Sequence, residues 1–209
     1  AFELMWRDFV EASLRWQGLR EPFEMPHPFA ALIDVGGQDE ASLRDALEEV
    51  LGEAMEAGEA QDAAIAQSET QARALWKIRE ATAELPAHMH PPINFDVSLP
   101  QAGIGRFAEE CRAALTARWP GHLSVFFGHI GDGNLYINVL KPADMEQPEF
   151  VRQCERVTEL LSDALQAHGG SISAEHGIGL VKKKYLGGTR SAAEIGLMRG
   201  IRHVFDPNG

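Results

Sequence analysis

Apolar residues recur at helical spacing in six stretches of the chain: Phe2 to Trp16, Ala41 to Met55, Glu69 to Glu84, Ile104 to Trp119, Glu149 to Ala167 and Ala192 to Val204. Between them lie runs of strand length and strand composition: Phe29 to Val35, Ala63 to Gln67, Ile93 to Ser98, Leu123 to Phe127, Leu135 to Val139 and Ser171 to Ala174. Pro86, Pro91 and Pro92 mark one loop, and Gly187-Gly188 marks another. Helices and strands alternate without an internal repeat. The physical expectation is an α+β fold, an antiparallel sheet with helices covering one face.

Two islands break this pattern with glycine and ionisable residues: GHIGDGNLYIN from Gly128 to Asn138, and SISAEHGIG from Ser171 to Gly179. In the first, an Asp-Gly pair stands between two apolar runs, a strong hairpin signal. With Asp132-Gly133 as a two-residue loop, His129 faces Tyr136 and Phe127 faces Asn138. Opposed residues share a face of the sheet, so His129, Tyr136 and Asn138 are expected in one polar cluster while Ile130, Leu135 and Ile137 turn to a core. The second island follows a helix that ends at His168, with Gly169-Gly170 as its stop. Adjacent strand residues point to opposite faces. Glu175 and His176 can therefore serve one site only where the backbone turns, which Gly177 and Gly179 permit.

Composition narrows the partners. The 209 residues are 44% hydrophobic and 24% charged, enough chain for one good core or two modest ones. A formal net charge of -12 disfavours nucleic acid and anionic membrane as direct partners. Cys111 and Cys154, each inside an expected amphipathic helix, read as buried free thiols of a reducing compartment. No apolar run approaches membrane-spanning length and no signal-peptide pattern opens the chain, so the cytoplasm is expected. An acidic protein that handles an anion needs local cations, which draws notice to Arg79 and to Lys182 through Lys184.

The two islands together resemble the C-terminal domain of the flavin-linked D-2-hydroxy acid dehydrogenases, the group of D-lactate dehydrogenase, D-2-hydroxyglutarate dehydrogenase and the glycolate oxidase large subunit. Four more segments resemble it in the same order: Ala1-Phe2-Glu3-Leu4-Met5, Leu75-Trp76-Lys77-Ile78-Arg79-Glu80, Phe95-Asp96-Val97-Ser98-Leu99-Pro100 and Phe205-Asp206-Pro207-Asn208-Gly209. The resemblance covers essentially the whole chain. It implies one domain over residues 1–209, a ferredoxin-like antiparallel sheet covered by helices, with a helical C-terminal part. It also implies an FAD held mainly by a separate N-terminal domain of the same polypeptide, so the chain is expected to be part of a longer enzyme. The implied reaction oxidises a D-2-hydroxy acid to the 2-oxo acid and passes electrons to a further acceptor. A homodimer and peripheral membrane association of the full enzyme are both compatible with it.

Residue roles follow from the same resemblance. His176 matches the proton acceptor, and a neutral imidazole with an ordinary pKa of about 6.5 suits that role. His129 and Glu175 match two of three ligands to a divalent metal, typically zinc, which would polarise a substrate oxygen. The third ligand position holds Tyr136, where the usual residue is a second histidine. A phenol of pKa about 10 is a poor ligand unless the metal ionises it; without metal, His129 and Tyr136 would hydrogen-bond the substrate. Asn138 matches a polar residue of the substrate pocket, and Asn134 and Glu175 fall on the flavin side. Arg79 matches the arginine that grips the substrate carboxylate as a bidentate fork; the competing reading is a surface ion pair along its helix. Asn94 stands where D-2-hydroxyglutarate dehydrogenases carry lysine, which argues against a second substrate carboxylate being read there.

The remaining candidates have bland readings. His27, His88, His90, His122, His168 and His203 read as structural or surface groups, and Lys182, Lys183 and Lys184 as a solvated helix face. Glu48, Glu49, Glu53 and Glu56 read as surface charge, and Trp6, Trp16 and Trp119 as helix packing. Beside the enzyme reading stands a non-catalytic relative that binds a small acid or a metal. A metal-dependent hydrolase is a third option, which Tyr136 weakens.

Overall fold

Phe2 to Trp6 form a strand, β1, and helix α1 runs only from Arg7 to Gln17. A single helix over Phe2 to Trp16 is thus replaced by a strand-to-helix junction. The junction is silent in the sequence because Trp6 caps α1 without a side-chain hydrogen bond; no Ser, Thr, Asp or Asn announces the helix start. The computed structural model describes residues 1–83, 93–142 and 144–208. The expected loop at Pro86, Pro91 and Pro92, with His88 and His90, lies outside them.

The strands follow the order β2-β1-β4-β5-β3, with β2 at Phe29–Ile33, β3 at Ile93–Ser98, β4 at Ser124–Gly128 and β5 at Asn134–Val139. The registers of β1 with β2, β1 with β4 and β3 with β5 are antiparallel, and the class is the expected α+β. The chain divides into two compact units, Ala1–Pro91 with Val125–Gly131, and Pro92–Ser124 with Asp132–Gly209.

In the first unit β1 lies between β2 and β4, with Phe2 opposite Ile33, Trp6 opposite Phe29 and Met5 opposite Phe127. Helix α1 buries Phe9, Val10 and Leu14. Phe9 stacks on Phe127 with ring centres 4.4 Å apart, and Trp6 meets Phe29 edge-on at 5.5 Å. Trp6 therefore packs from a strand rather than from a helix. Helix α2 (Glu40–Glu56) is capped by Asp39 and α3 (Glu69–Glu80) by Ser68, each side chain accepting from backbone N–H groups of the first turn. Ala63 to Gln67 is irregular, not a strand; the Ala66 carbonyl accepts from Arg44 Nη2.

In the second unit β3 and β5 pair from Ile93–Val139 to Ser98–Asn134. Helix α4 (Ile104–Arg118) buries Ile104, Phe107, Cys111 and Leu115, and α5 (Gln147–Ala167) buries Phe150, Val157, Leu161 and Leu165. These are i, i+3, i+4 and i+7 spacings, and each buried Phe or Leu contributes roughly 1.5–3 kcal/mol. After α5, Gly170 lies so close to strand β3 that a Cβ there would stand 2.8 Å from Ser98 O. That approach lets Ser171 bridge to Ser98. The expected strand from Ser171 to Ala174 is reduced to this single bridge, because a side chain captures the backbone beyond it. Gly187-Gly188 close a 3-10 turn from Lys183 to Gly188, and helix α6 (Ala192–Phe205) opens with a Ser191/Glu194 capping box.

Candidate functional site

Strict alternation along Ile93-Asn94-Phe95-Asp96-Val97-Ser98 and Asn134-Leu135-Tyr136-Ile137-Asn138-Val139 sorts the β3–β5 pair into two faces. Phe95–Ile137 and Val97–Leu135 oppose each other on the apolar face; Asn94–Asn138, Asp96–Tyr136 and Ser98–Asn134 form a polar row on the other. Asp96, Asn134 and Asn138 in that row are buried. Buried polar groups are costly unless partnered, so the row marks a place built for contacts.

The β4–β5 connection corrects the expected hairpin. Residues Ile130–Asp132 make a 3-10 turn, Gly133 has φ 73, and the Leu140 N–H donates to Leu123 O at 2.7 Å. Leu123 therefore faces Leu140, where a two-residue Asp132-Gly133 loop would set it against Pro142. The connection is longer by two residues, so the expected facing of His129 with Tyr136 and of Phe127 with Asn138 does not form; Tyr136 and Asn138 share a face because they stand two apart on β5.

Asp96 captures the second island. Its Oδ2 accepts from the backbone N–H of Glu175 at 3.0 Å and of His176 at 2.8 Å, and from Ser173 Oγ at 3.3 Å. Lys182 Nζ lies 3.7 Å from the same oxygen and donates to the Asp96 carbonyl at 3.2 Å. Gly177 at φ 76 and Gly179 at φ 52 complete the turn that Glu175 and His176 need to serve one site. Burial pushes the Asp96 carboxyl up, but the His176 and Glu175 N–H groups, with the Lys182 and His176 charges, hold it below the ordinary carboxylate range. Lys182 is therefore packed against Asp96 and is not part of a solvated helix face. Asp96 is the residue sequence reasoning missed; its signal was one carboxylate in an alternating strand, on the same parity as the asparagine and serine.

Around this turn the Tyr136 hydroxyl donates to Glu175 Oε2, and the Tyr136 and His176 rings lie 5.8 Å apart. Burial, then the Glu175 carboxylate, pushes the phenol up to about 12, so Tyr136 is a neutral donor. The His176 side chain is 63% exposed, with Nδ1 3.6 Å from Asp96 Oδ2. The buried Asn134 amide lies beside the Tyr136 hydroxyl, and its interaction with the phenol opposes part of that upward push.

The first unit holds the other two expected site residues. Glu3, buried on β1, accepts from Arg79 Nε at 2.8 Å through Oε2 and meets His129 Nδ1 at 2.7 Å through Oε1. The Arg79 guanidinium lies over the Phe127 ring, 5.0 Å from its centre. Arg79 is thus in a buried pair, not a surface pair along α3. Glu3 is a second residue that sequence reasoning did not single out. The cavity of about 1090 Å³ in this unit, lined by Leu4, Phe29, Leu43 and Leu47 among others, includes neither Arg79, Glu3 nor His129 in its lining.

The donors present do not fit the implied metal. Among the described residues no group of three or more His, Cys, Asp or Glu side chains could hold an ion. Tyr136, unionised, occupies the Glu175 oxygen it would share with a metal. For the flavin, the buried Asn134 amide beside the Tyr136 hydroxyl is the polar group of this row on which the expectation rests.

Residues 1–209 match the family described as FAD linked oxidases, C-terminal domain. A D-2-hydroxyglutarate dehydrogenase of Xanthomonas citri pv. viticola is 48% identical over 208 residues, covering 100% of this chain and 43% of that protein. One from Stutzerimonas stutzeri is 40% identical over 188 residues, 90% of this chain and 40% of its own. A putative mitochondrial D-lactate dehydrogenase of Schizosaccharomyces pombe is 32% identical over 219 residues, 100% of this chain and 40% of its own. The chain spans less than half the length of these relatives. With the match running from the first residue to the last, the chain belongs to the FAD-linked oxidase family, as its C-terminal domain.

Proposed function

We propose that this chain is the substrate-binding and catalytic part of an FAD-dependent dehydrogenase that oxidises a D-2-hydroxy acid to the 2-oxo acid. In this reading a flavin-binding domain lies elsewhere in the same polypeptide, and a separate acceptor reoxidises the flavin. The observation that carries it is the turn pinned on Asp96, which leaves the His176 imidazole exposed beside a neutral Tyr136.

His176 takes the proton of the substrate hydroxyl. When bound, FAD supplies the acceptor for the hydride leaving the adjacent carbon. Tyr136 and Asn138 hydrogen-bond the substrate, and Asn134 holds a polar edge of the flavin. Arg79 grips the substrate carboxylate; Glu3, bonded to its Nε, fixes the plane of the guanidinium. His129 serves as a hydrogen-bonding group, and the metal role of His129 and Glu175 is not carried forward. The relatives named as D-2-hydroxyglutarate and D-lactate dehydrogenases support the substrate class. Two free cysteines, Cys111 buried and Cys154 half-buried, support a reducing compartment such as the cytoplasm. Among the described residues no helix is long and apolar enough to cross a membrane.

The test is steady-state oxidation of D- and L-2-hydroxyglutarate, D-lactate and glycolate by the flavin-loaded protein, with a dye as acceptor. Turnover of a D-acid that is lost in His176→Ala supports the reading; stoichiometric FAD without turnover of any of these acids refutes it. The Tyr136–Glu175 hydrogen bond favours one other reading, a relative that binds small acids silently. Saturable acid binding without turnover would favour it.

A further inference from the structure

We propose that Asp96 is the positioning residue for His176: it builds the turn that carries the imidazole and sets the orientation of the ring. This rests on the reading of His176 as the base.

Asp96 is 2% exposed and sits on β3, a strand held along its length by β5. Its carboxylate is therefore a fixed point. From it, two consecutive backbone N–H groups hang at 3.0 and 2.8 Å, those of Glu175 and His176. Consecutive amides aimed at one oxygen make a nest, and a nest closed on a buried anion holds its backbone rigidly. Oδ1 also accepts from the Glu175 N–H, at 3.3 Å, so an amide side chain in the same place would set its NH2 group against that N–H. Lys182 Nζ, at 3.7 Å, balances the buried charge, and Ser173 Oγ lies 3.3 Å from Oδ2 and 3.0 Å from Gly177 O, its one proton serving either acceptor within the turn. With the backbone so placed, His176 Nδ1 lies 3.6 Å from Oδ2. That is beyond a hydrogen bond in this state, and such contacts tighten when substrate binds. The edge facing Asp96 is Nδ1, so Nε2 is the nitrogen presented away from it. The step then balances: the hydroxyl proton passes to Nε2, the C–H hydrogen leaves with its electron pair to the flavin, and the remaining electrons close the carbonyl.

Sequence gives little warning of this pairing, because Asp96 and His176 are 80 positions apart. It assigns the second island's sharp turn to a cause outside the island.

The test compares Asp96→Asn, Asp96→Glu and His176→Ala in the flavin-loaded protein. Asp96→Asn is expected to lower kcat by roughly 10- to 100-fold, the scale seen when a supporting partner is removed, with KM for the acid within about 3-fold. In parallel, amide hydrogen exchange should show Glu175 and His176 losing protection while β3 and β5 keep theirs. Should Asp96→Asn fail to fold, Asp96→Glu decides by the same criteria, since it keeps the charge and displaces the carboxylate. A folded variant with kcat within about 2-fold of the parent, while His176→Ala is inactive, overturns the positioning role alone. Turnover surviving in His176→Ala overturns the base assignment and the positioning role with it.

Discussion

Gly133, inside the GDGN island, is expected to be irreplaceable for a backbone reason, and the substitution Gly133→Ala measures it. The residue has φ 73, a left-handed conformation that costs a non-glycine residue about 1–2 kcal/mol. An added Cβ would also fall under 3.0 Å from the carbonyl oxygen of Leu99, closer than real Cβ atoms come. That oxygen cannot move away cheaply. The Leu99 N–H donates to Gly133 O at 2.8 Å and the neighbouring Ser98 and Asn134 are paired in the β3–β5 ladder, so relief means opening the end of the strand pair. Overpacking of this kind costs about 1–3 kcal/mol, and the two effects together come to about 2–5 kcal/mol. Gly131, two residues earlier, is the internal control: its φ is not positive and a Cβ there meets nothing within 4 Å. Gly131→Ala should therefore stay within about 1 kcal/mol of the parent. Urea unfolding followed by circular dichroism gives both numbers, and for a chain of this size about 3 kcal/mol corresponds to a fall in Tm of about 6–12 °C. Equal stability of the two variants, or a Gly133→Ala protein within about 1 kcal/mol of the parent, would refute the close approach.

Glu3→Ala should destabilise by about 3–5 kcal/mol because it leaves the buried Arg79 guanidinium without its carboxylate, whereas Glu3→Leu with Arg79→Leu should recover most of that loss; a chemical denaturation cycle separates the two outcomes, and additivity would deny the pair. Cys111, pushed up to about 12 by burial and then by the Glu110 charge, should resist iodoacetamide at pH 8 in the native state while the half-buried Cys154 reacts first. Mass spectrometry of the labelled protein checks the order, and labelling of Cys111 before unfolding would contradict its burial. The depressed Asp96 carboxyl contributes stability that is whole above the ordinary carboxylate range and is lost as pH falls through its lower folded value. The gap in Tm between the parent and Asp96→Asn should accordingly narrow below pH about 4; a gap that is constant or widens on acidification counts against the N–H and Lys182 contacts.

Local order in this chain is legible in its sequence because it depends on near neighbours. Helices α2, α4, α5 and α6 begin and end within two residues of the apolar periodicity, and the alternation of β3 and β5 sets which residues share a face. The common face of Tyr136 and Asn138 follows from alternation along β5 alone, whereas the expected facing of His129 with Tyr136 fails with the loop length. The glycines of both islands announce turns, and Gly133, Gly177 and Gly179 do take positive φ. What the sequence could not decide is which groups meet across long separations. The strand β1 hides in a helical period because nothing caps α1, and only its pairing on both sides with β2 and β4 makes it a strand. Glu3 finds Arg79 across 76 positions and Asp96 finds Glu175 across 79. Such partnerships leave no periodic trace, because a hydrogen bond needs only the right atoms within about 3 Å, and the tertiary fold alone sets that distance.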